Sequence, residues 1–372
     1  MPQYIPEPPY THGTPRRIGV LLVNLGTPDA PDAPSLRRYL KQFLSDPRVV
    51  EIPRAIWWLI LNLIILNTRP AKSAAKYAKV WLKEGGSPLR YWTEQQAIGL
   101  AERLGADGGE PVEVAWGMRY GNPSIESAIL QLRNAGCDRI LLMPMYPQYA
   151  ASTTASSMDA VADTFRRLRN VPGLRTIRNF HDHPAFIAAL AGKVRTFWAE
   201  HGMPDKLVMS FHGVPRYTRD KGDPYHCECH KTGRLLAEAL GLQREQWQVS
   251  FQSLFGRAEW IKPYTEPTLR ELAKAGVGKV HVMCPGFPAD CLETIEEIGM
   301  EVRDAYLEDG GGEYAFIPCL NADPAWLDAL ALMAREHLVG WREPVWNGAA
   351  KDAETQEGTV QAAAAAALGA AA

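Results

Sequence analysis

The chain has 372 residues, 46% of them hydrophobic and 22% charged, with 40 basic against 42 acidic side chains and a net charge of −2. These values fit a globular protein long enough for two domains, and the absence of a basic block argues against nucleic acid as a partner. The six cysteines, Cys137, Cys227, Cys229, Cys284, Cys291 and Cys319, are too few and too scattered for a disulfide framework and suit a reducing cytoplasm.

Residues 1–15, MPQYIPEPPYTHGTP, are rich in proline and lack an apolar core. They are expected to be a disordered leader, not a signal peptide. Continuous apolar runs then alternate with amphipathic stretches, the pattern of doubly wound α/β structure. Strands are expected at Ile18–Leu25, Val112–Gly117, Ile140–Tyr146 and Leu174–Ile177 in the first half. Inside that half lies Ile56–Leu66, IWWLILNLIIL, shorter than the about 20 residues a membrane-spanning helix needs. It reads either as a buried helix or as an exposed lip (54–70) that meets a membrane interface or an apolar ligand. Trp57 and Trp58, flanked by Arg54 and Arg69, favour the lip.

In the second half, strands are expected at Leu207–Phe211, Trp247–Gln252, Val280–Cys284 and Tyr314–Ile317. The halves echo each other. Val23-Asn24-Leu25-Gly26-Thr27-Pro28 parallels Ser210-Phe211-His212-Gly213-Val214-Pro215, and each half then runs strand, Pro-led helix, Ala-Gly turn and strand. The expected fold is α/β, with two similar Rossmann-like lobes, each a four-stranded parallel sheet, over 16–178 and 179–346. A helix at 324–337, with Trp326, Leu327, Leu330 and Met333 on one side, is expected to close the domain junction. Residues 347–372, ending in an alanine run, are expected to be a disordered tail. The G-[TV]-P turns lack G-x-G-x-x-G spacing and do not support a dinucleotide site.

Two segments carry the chemistry. His212 stands where an apolar strand runs into a Gly-Pro turn, and ligands of parallel α/β sheets bind at the carboxyl ends of strands. A predicted helix that starts after another strand places Glu293, Glu297 and Glu301 at i, i+4 and i+8. They drift by only about 40° per step and share a face, and π-type winding would align them better. With no lysine among them they repel one another, a cost easier to accept where a cation binds. Glu296, Asp304 and Glu308 add negative potential. Tyr146 and Tyr149, Tyr120, Trp260 and Tyr264 suit the faces of a flat apolar ligand, and Arg69, Lys72 and Arg119 its carboxylates. His226-Cys227-Glu228-Cys229-His230 lacks the C-x2-C spacing of structural zinc and is not expected to be a metal site. His181 and His183 are expected to be capping or surface groups.

Over roughly Arg17 to Trp341 the chain resembles the ferrochelatase family. The segments that carry the resemblance are GVLLVNLGTP, EGGSPL, MRYGNPSI, MPMYPQYAASTTASS, SFHGVP, KGDPY, FQSLFGRAEWIKPYT and GFPADCLETIEEI. The resemblance implies a class II chelatase-like fold in which ferrous iron enters protoporphyrin IX between the lobes, the terminal step of haem synthesis. It implies His212 and Glu293 as the catalytic pair, with Glu297 and Glu301 extending the metal-binding line. It also implies that Arg69, Lys72, Tyr77, Ser87, Arg119, Tyr120, Tyr146 and Trp260 bind porphyrin. Two positions depart from some members. Ala151 stands where a cluster-ligating cysteine would, and no cysteine follows Cys319, so no [2Fe-2S] cluster and no permanently bound cofactor is expected. Cys291 stands where some members have histidine.

On this reading His212 accepts porphyrin protons, and Glu293 assists it or gives the metal its last ligand before insertion. The competing readings are a cobalt chelatase of the same fold, a coproporphyrin-using ferrochelatase, and a non-catalytic binding protein. The expected partners are protoporphyrin IX and ferrous iron, with peripheral contact at the inner face of the membrane, a cytoplasmic location and a monomeric state.

Overall fold

The computed structural model describes residues 4–254, 256 and 258–370. Among these residues, eight parallel strands form two sheets. Strands β1 (Arg17–Gly26), β2 (Val112–Tyr120), β3 (Cys137–Pro144) and β4 (Gly173–Thr176) lie in the order β2-β1-β3-β4. Strands β5 (Lys206–His212), β6 (Trp247–Gln252), β7 (Lys279–Met283) and β8 (Glu313–Ile317) repeat it as β6-β5-β7-β8. The strand order reverses between β1 and β3 and between β5 and β7, so each lobe has its switch point at the carboxyl ends of those pairs. In register, Val23 of β1 faces Gly117 and Pro144, and His212 of β5 faces Gln252.

The apolar runs are continuous because both faces of each sheet are covered. Alternate residues choose the face. Ile18, Val20 and Leu22 of β1 and Leu207, Met209 and Phe211 of β5 belong to one shared core. Leu21 and Val23 face an outer layer with Ile129 and Leu132, and Val208 faces another with Leu269 and Ile298. The shared core is filled by helices Pro88–Ala106, Pro184–His201 and Pro324–Leu338. In the last, Asp323 caps the start, and Trp326 is fully buried against Phe180 and Phe186, with centroids at 5.8 and 5.6 Å.

Helix Arg54–Leu59 passes into a π-helical turn, Ile60–Ile65, and then into helix Leu66–Val80. Leu61 and Leu66 tuck in beside Leu44, and the Trp57 indole donates to the Leu44 carbonyl at 2.6 Å. The other side shows Ile56, Trp58, Leu59, Leu63 and Ile64 to solvent, with Trp58 60% exposed. Pro70 lies inside the helix and cannot donate to the Leu66 carbonyl. The Arg37 guanidinium donates there instead, and to Asn67 Oδ1 at 2.9 Å.

The chain ends differ from the sequence expectation of disorder. Glu7 is anchored by Arg133 at 3.0 Å and by the Arg169 and Asn170 N–H groups. The expected disordered tail is a helix, Gly348–Ala367, capped by Asn347. The physical reason is that alanine is the strongest helix former and the cap satisfies an end N–H. Leader and tail cross at Gly13 and Gly358, where a Cβ on Gly13 would lie 2.2 Å from the Gly358 oxygen.

Candidate active site

His212 is the last residue of β5, so an apolar strand delivers it to the cleft. Its Nδ1 lies 2.6 Å from the Gly213 carbonyl oxygen. A carbonyl can only accept, so Nδ1 carries the proton and Nε2 the lone pair. The Gly213 N–H donates to the Gln252 carbonyl at 2.8 Å. A Cβ on Gly213 would lie 2.8 Å from that oxygen and 3.0 Å from the Trp260 ring, so the turn requires glycine. The Trp260 ring is buried, 6.4 Å from the His212 ring.

The carboxylates ride on a π-helix, Glu293–Val302. Its start is pinned from two sides. Gln252 accepts from Ser210 at 2.7 Å and donates to the Glu293 carbonyl at 2.9 Å. Asp290 accepts from Thr294 at 3.0 Å and from Asn321 at 2.7 Å. Ser253 has φ 64°, a left-handed conformation unfavourable for serine, and from it both N–H and hydroxyl donate to Glu297. Burial raises the Glu297 carboxyl above its ordinary value, opposed by the Ser253 bonds and the His212 imidazole.

Two cavities meet here. The first lies between the two switch points. It is lined from β1 by Asn24, from the turn after β1 by Thr27, from the loop after β3 by Tyr146, and from the loop after β7 by Phe287 and Pro288. Tyr39, Tyr77 and Ser87 also line it. Burial, aided by neighbours including Glu293, pushes the Tyr39 and Tyr77 hydroxyls well up, so both keep their protons as donors. The second, about 1370 Å³, is acidic and runs past Glu297 to Glu301, with Arg69 and Tyr264 on its wall. His212, Leu292 and Glu293 line both.

The expected residues therefore divide. Tyr77, Ser87, Tyr146, His212 and Glu293 line the first cavity; Arg69, His212, Glu293, Glu297 and Glu301 line the second. Arg119, Tyr120 and Trp260 line neither cavity. Arg119 at 2.6 Å, Tyr120 at 2.7 Å and Ser156 all donate to buried Asp46. Burial alone would raise the Asp46 carboxyl, but these donors and the Arg48 N–H outweigh it and hold it below its ordinary value. Lys72 is exposed and lines neither cavity. It sits about 140° around its helix from Tyr77, which faces the cleft.

The carboxylate ladder is also not free of lysine. Lys76, from helix Leu66–Val80, reaches Glu301 at 2.6 Å and Glu296 at 3.0 Å, and Lys79 reaches Glu296 at 3.1 Å. Glu296 is buried under both, so it neutralises these cations instead of adding bare charge. Among the described residues no three His, Cys, Asp or Glu groups are placed to hold one metal ion. The four expected ligands form a line along a wall.

Sequence reasoning missed Tyr39, Asn24, Tyr225 and Phe287. The internal echo was a usable signal for Asn24, since it places the β1 turn opposite the His212 turn. It also missed Glu228, which accepts from the Tyr149 N–H at 2.7 Å and Asn179 at 2.8 Å and so fixes the YPQY loop. Arg178 covers Tyr149, with 4.1 Å to its ring centroid. His183 caps helix Pro184–His201, whereas His181 is buried against Glu228 at 3.4 Å, not on the surface.

A family model described as Ferrochelatase matches residues 17–338. The chain is 60% identical over 343 residues to a ferrochelatase of Chromobacterium violaceum, covering 92% of this chain and 94% of that one. It is 59% identical over 343 residues to a ferrochelatase of Aromatoleum aromaticum, with the same coverage of each. Among solved structures it is similar to SirB from Bacillus subtilis with Fe3+, at TM-score 0.51 and 13% identity, covering 86% of this chain and 95% of that one. That likeness bears on the fold alone.

Lys76 competes with any cation for Glu301. Lys76→Met is expected to tighten Mn2+ binding to the ligand-free protein severalfold, read by water-proton relaxation, because Lys79 still holds Glu296. Unchanged or weaker binding would show that the ammonium does not compete.

Proposed function

Because the chain belongs to the ferrochelatase family, we propose a division of labour between its two cavities for the reaction of that family. The chain inserts ferrous iron into a porphyrin to make haem. The observation that carries the reading is the junction itself: a mainly apolar cavity and an acidic one share His212 and Glu293. The porphyrin occupies the first cavity and iron reaches it along the second.

Insertion exchanges two ring N–H protons for one dication, so both protons must leave as iron arrives. His212 accepts at Nε2 while the Gly213 carbonyl steadies the imidazolium through Nδ1. Glu293, at the junction, takes the second proton or holds the ion against the ring. Glu297, with its raised carboxyl, passes protons outward at neutral pH better than an ordinary glutamate. Glu301 and Lys76 form the outer end of the line. The tyrosine hydroxyls of Tyr39 and Tyr77 and Ser87 orient the ring edge.

Protoporphyrin IX fits better than coproporphyrin. Among the described residues the first cavity has no lysine or arginine on its wall, and only Arg69 and Lys76 line the second. Four propionates would need more cations than two do. Anaerobic incubation of both porphyrins with ferrous salt, followed through the collapse of the Q-bands, tests this. His212→Ala is expected to abolish insertion while protoporphyrin still binds, and Glu293→Gln to lose most of it. Turnover near that of the parent in a folded His212→Ala protein would remove the assignment.

The described residues contain no helix long and apolar enough to cross a membrane. The exposed apolar face of Ile56, Trp58, Leu59, Leu63 and Ile64 suits peripheral contact with the inner membrane face, at the level of the lipid headgroups. The free cysteines fit a cytoplasmic setting. Trp58→Glu with Leu59→Glu is expected to weaken binding to phospholipid vesicles and raise the apparent KM for porphyrin, with Tm unchanged within a few degrees. Loss of cooperative melting would place the segment in the core instead.

The cysteines also speak against a [2Fe-2S] cluster. Cys137 is buried in one outer layer, Cys284 and Cys319 in the other, and Cys229 in the shared core. Aerobically purified protein is expected to lack visible sulfur-to-iron absorbance; a reducible band of that kind would overturn this.

A further inference from the structure

Helix Tyr225–Leu240 carries a second group of capable side chains that iron insertion does not use. His226 and His230 stand one turn apart at i and i+4 and share a face. Their ring centroids lie 4.5 Å apart with planes inclined at 58°. Both rest on Phe251, His226 stacked at 5.6 Å and His230 edge-on at 5.9 Å. Phe251 is fully buried, so the pair has a fixed floor. His230 is nonetheless exposed and His226 half-buried, so an ion can reach them from solvent.

Their ring nitrogens are uncommitted. Among the described residues neither imidazole has a hydrogen-bond partner. By contrast His183, His201, His212 and His337 each engage a ring nitrogen with a carboxylate or a backbone carbonyl. Burial keeps both imidazoles below their ordinary pKa, and the nearby Arg219 and Arg244 act the same way. Both rings are therefore neutral at pH 7, the form that ligates.

We propose that His226 and His230 form a bidentate surface site for a borderline divalent transition-metal ion such as Ni2+, Cu2+ or Zn2+, with water completing the coordination. Imidazole nitrogen selects such ions, and two histidines at i and i+4 on a helix present their nitrogens to one ion. The site offers two nitrogen ligands and no third protein ligand among the described residues, so its ion exchanges with solvent. It differs in chemistry from the acidic cavity, whose donors are mainly carboxylate oxygens.

The test uses the full-length, untagged chain without porphyrin, titrated with Ni2+ by calorimetry. His226→Gln and His230→Gln are each expected to remove one binding event or weaken it at least about tenfold. Cys227→Ser and the double variant Glu293→Gln, Glu297→Gln are expected to keep it. Bound Cu2+ should show hyperfine coupling to two nitrogens in the EPR spectrum of the parent chain and fewer in either histidine variant. Should a histidine variant melt without cooperativity, protection of His226 and His230 from diethyl pyrocarbonate by Ni2+ in the parent protein decides the matter. Persistence of the Ni2+ event in both histidine variants, its loss in Cys227→Ser or in the glutamate pair, or absence of protection overturns the proposal.

Discussion

Alternation of side chains along β1 and β5 is the constraint on which everything else rests. It sends Val20, Leu22, Met209 and Phe211 into one core that belongs to both lobes. Each such side chain contributes roughly 1.5–3 kcal/mol on burial. Separating the lobes would expose many of them at once, more than the about 5–15 kcal/mol by which a folded domain is stable. The cleft between the switch points is therefore a rigid slot. That suits a planar, stiff ligand, which has little freedom to lose on binding.

The two lobes share a strand order but not a chemistry. At the end of β5 the chain places His212; at the matching end of β1 it places Leu25. Gln252 and Ser253 at the end of β6 hold the π-helix start and Glu297. At the corresponding end of β2, Arg119 and Tyr120 converge on Asp46 and take no part in either cavity wall. The first lobe meets the cleft with mostly neutral side chains, and the second with an imidazole and carboxylates.

All eight strands were legible because apolar runs bounded by Gly and Pro survive in any sheet buried on both faces. His212 and the carboxylate ladder were legible because strand ends and helical periodicity are local. The Lys76 pairing was not, because its partners sit in the other lobe and no spacing rule links them. The Asp46 contacts of Arg119 and Tyr120 were hidden for a related reason. A cation beside an aromatic reads as a ligand-binding pair, and only the fold reveals that Asp46, distant in sequence, satisfies both. The tail misled through composition: an alanine run reads as low complexity, yet it also has the highest helix propensity, and Asn347 sets its start. Glu228 sat inside a segment that looked like a metal motif, which hid its role as an anchor for the Tyr149 loop.

The crossing of Gly13 and Gly358 has a consequence for engineering. It holds the leader against the tail helix, beside Gly136 and Arg139, at the amino-terminal edge of the first sheet. The cleft opens at the carboxyl-terminal edge. A fluorophore attached to an exposed residue beside the crossing, such as Glu357, would thus sit on the side away from the cleft.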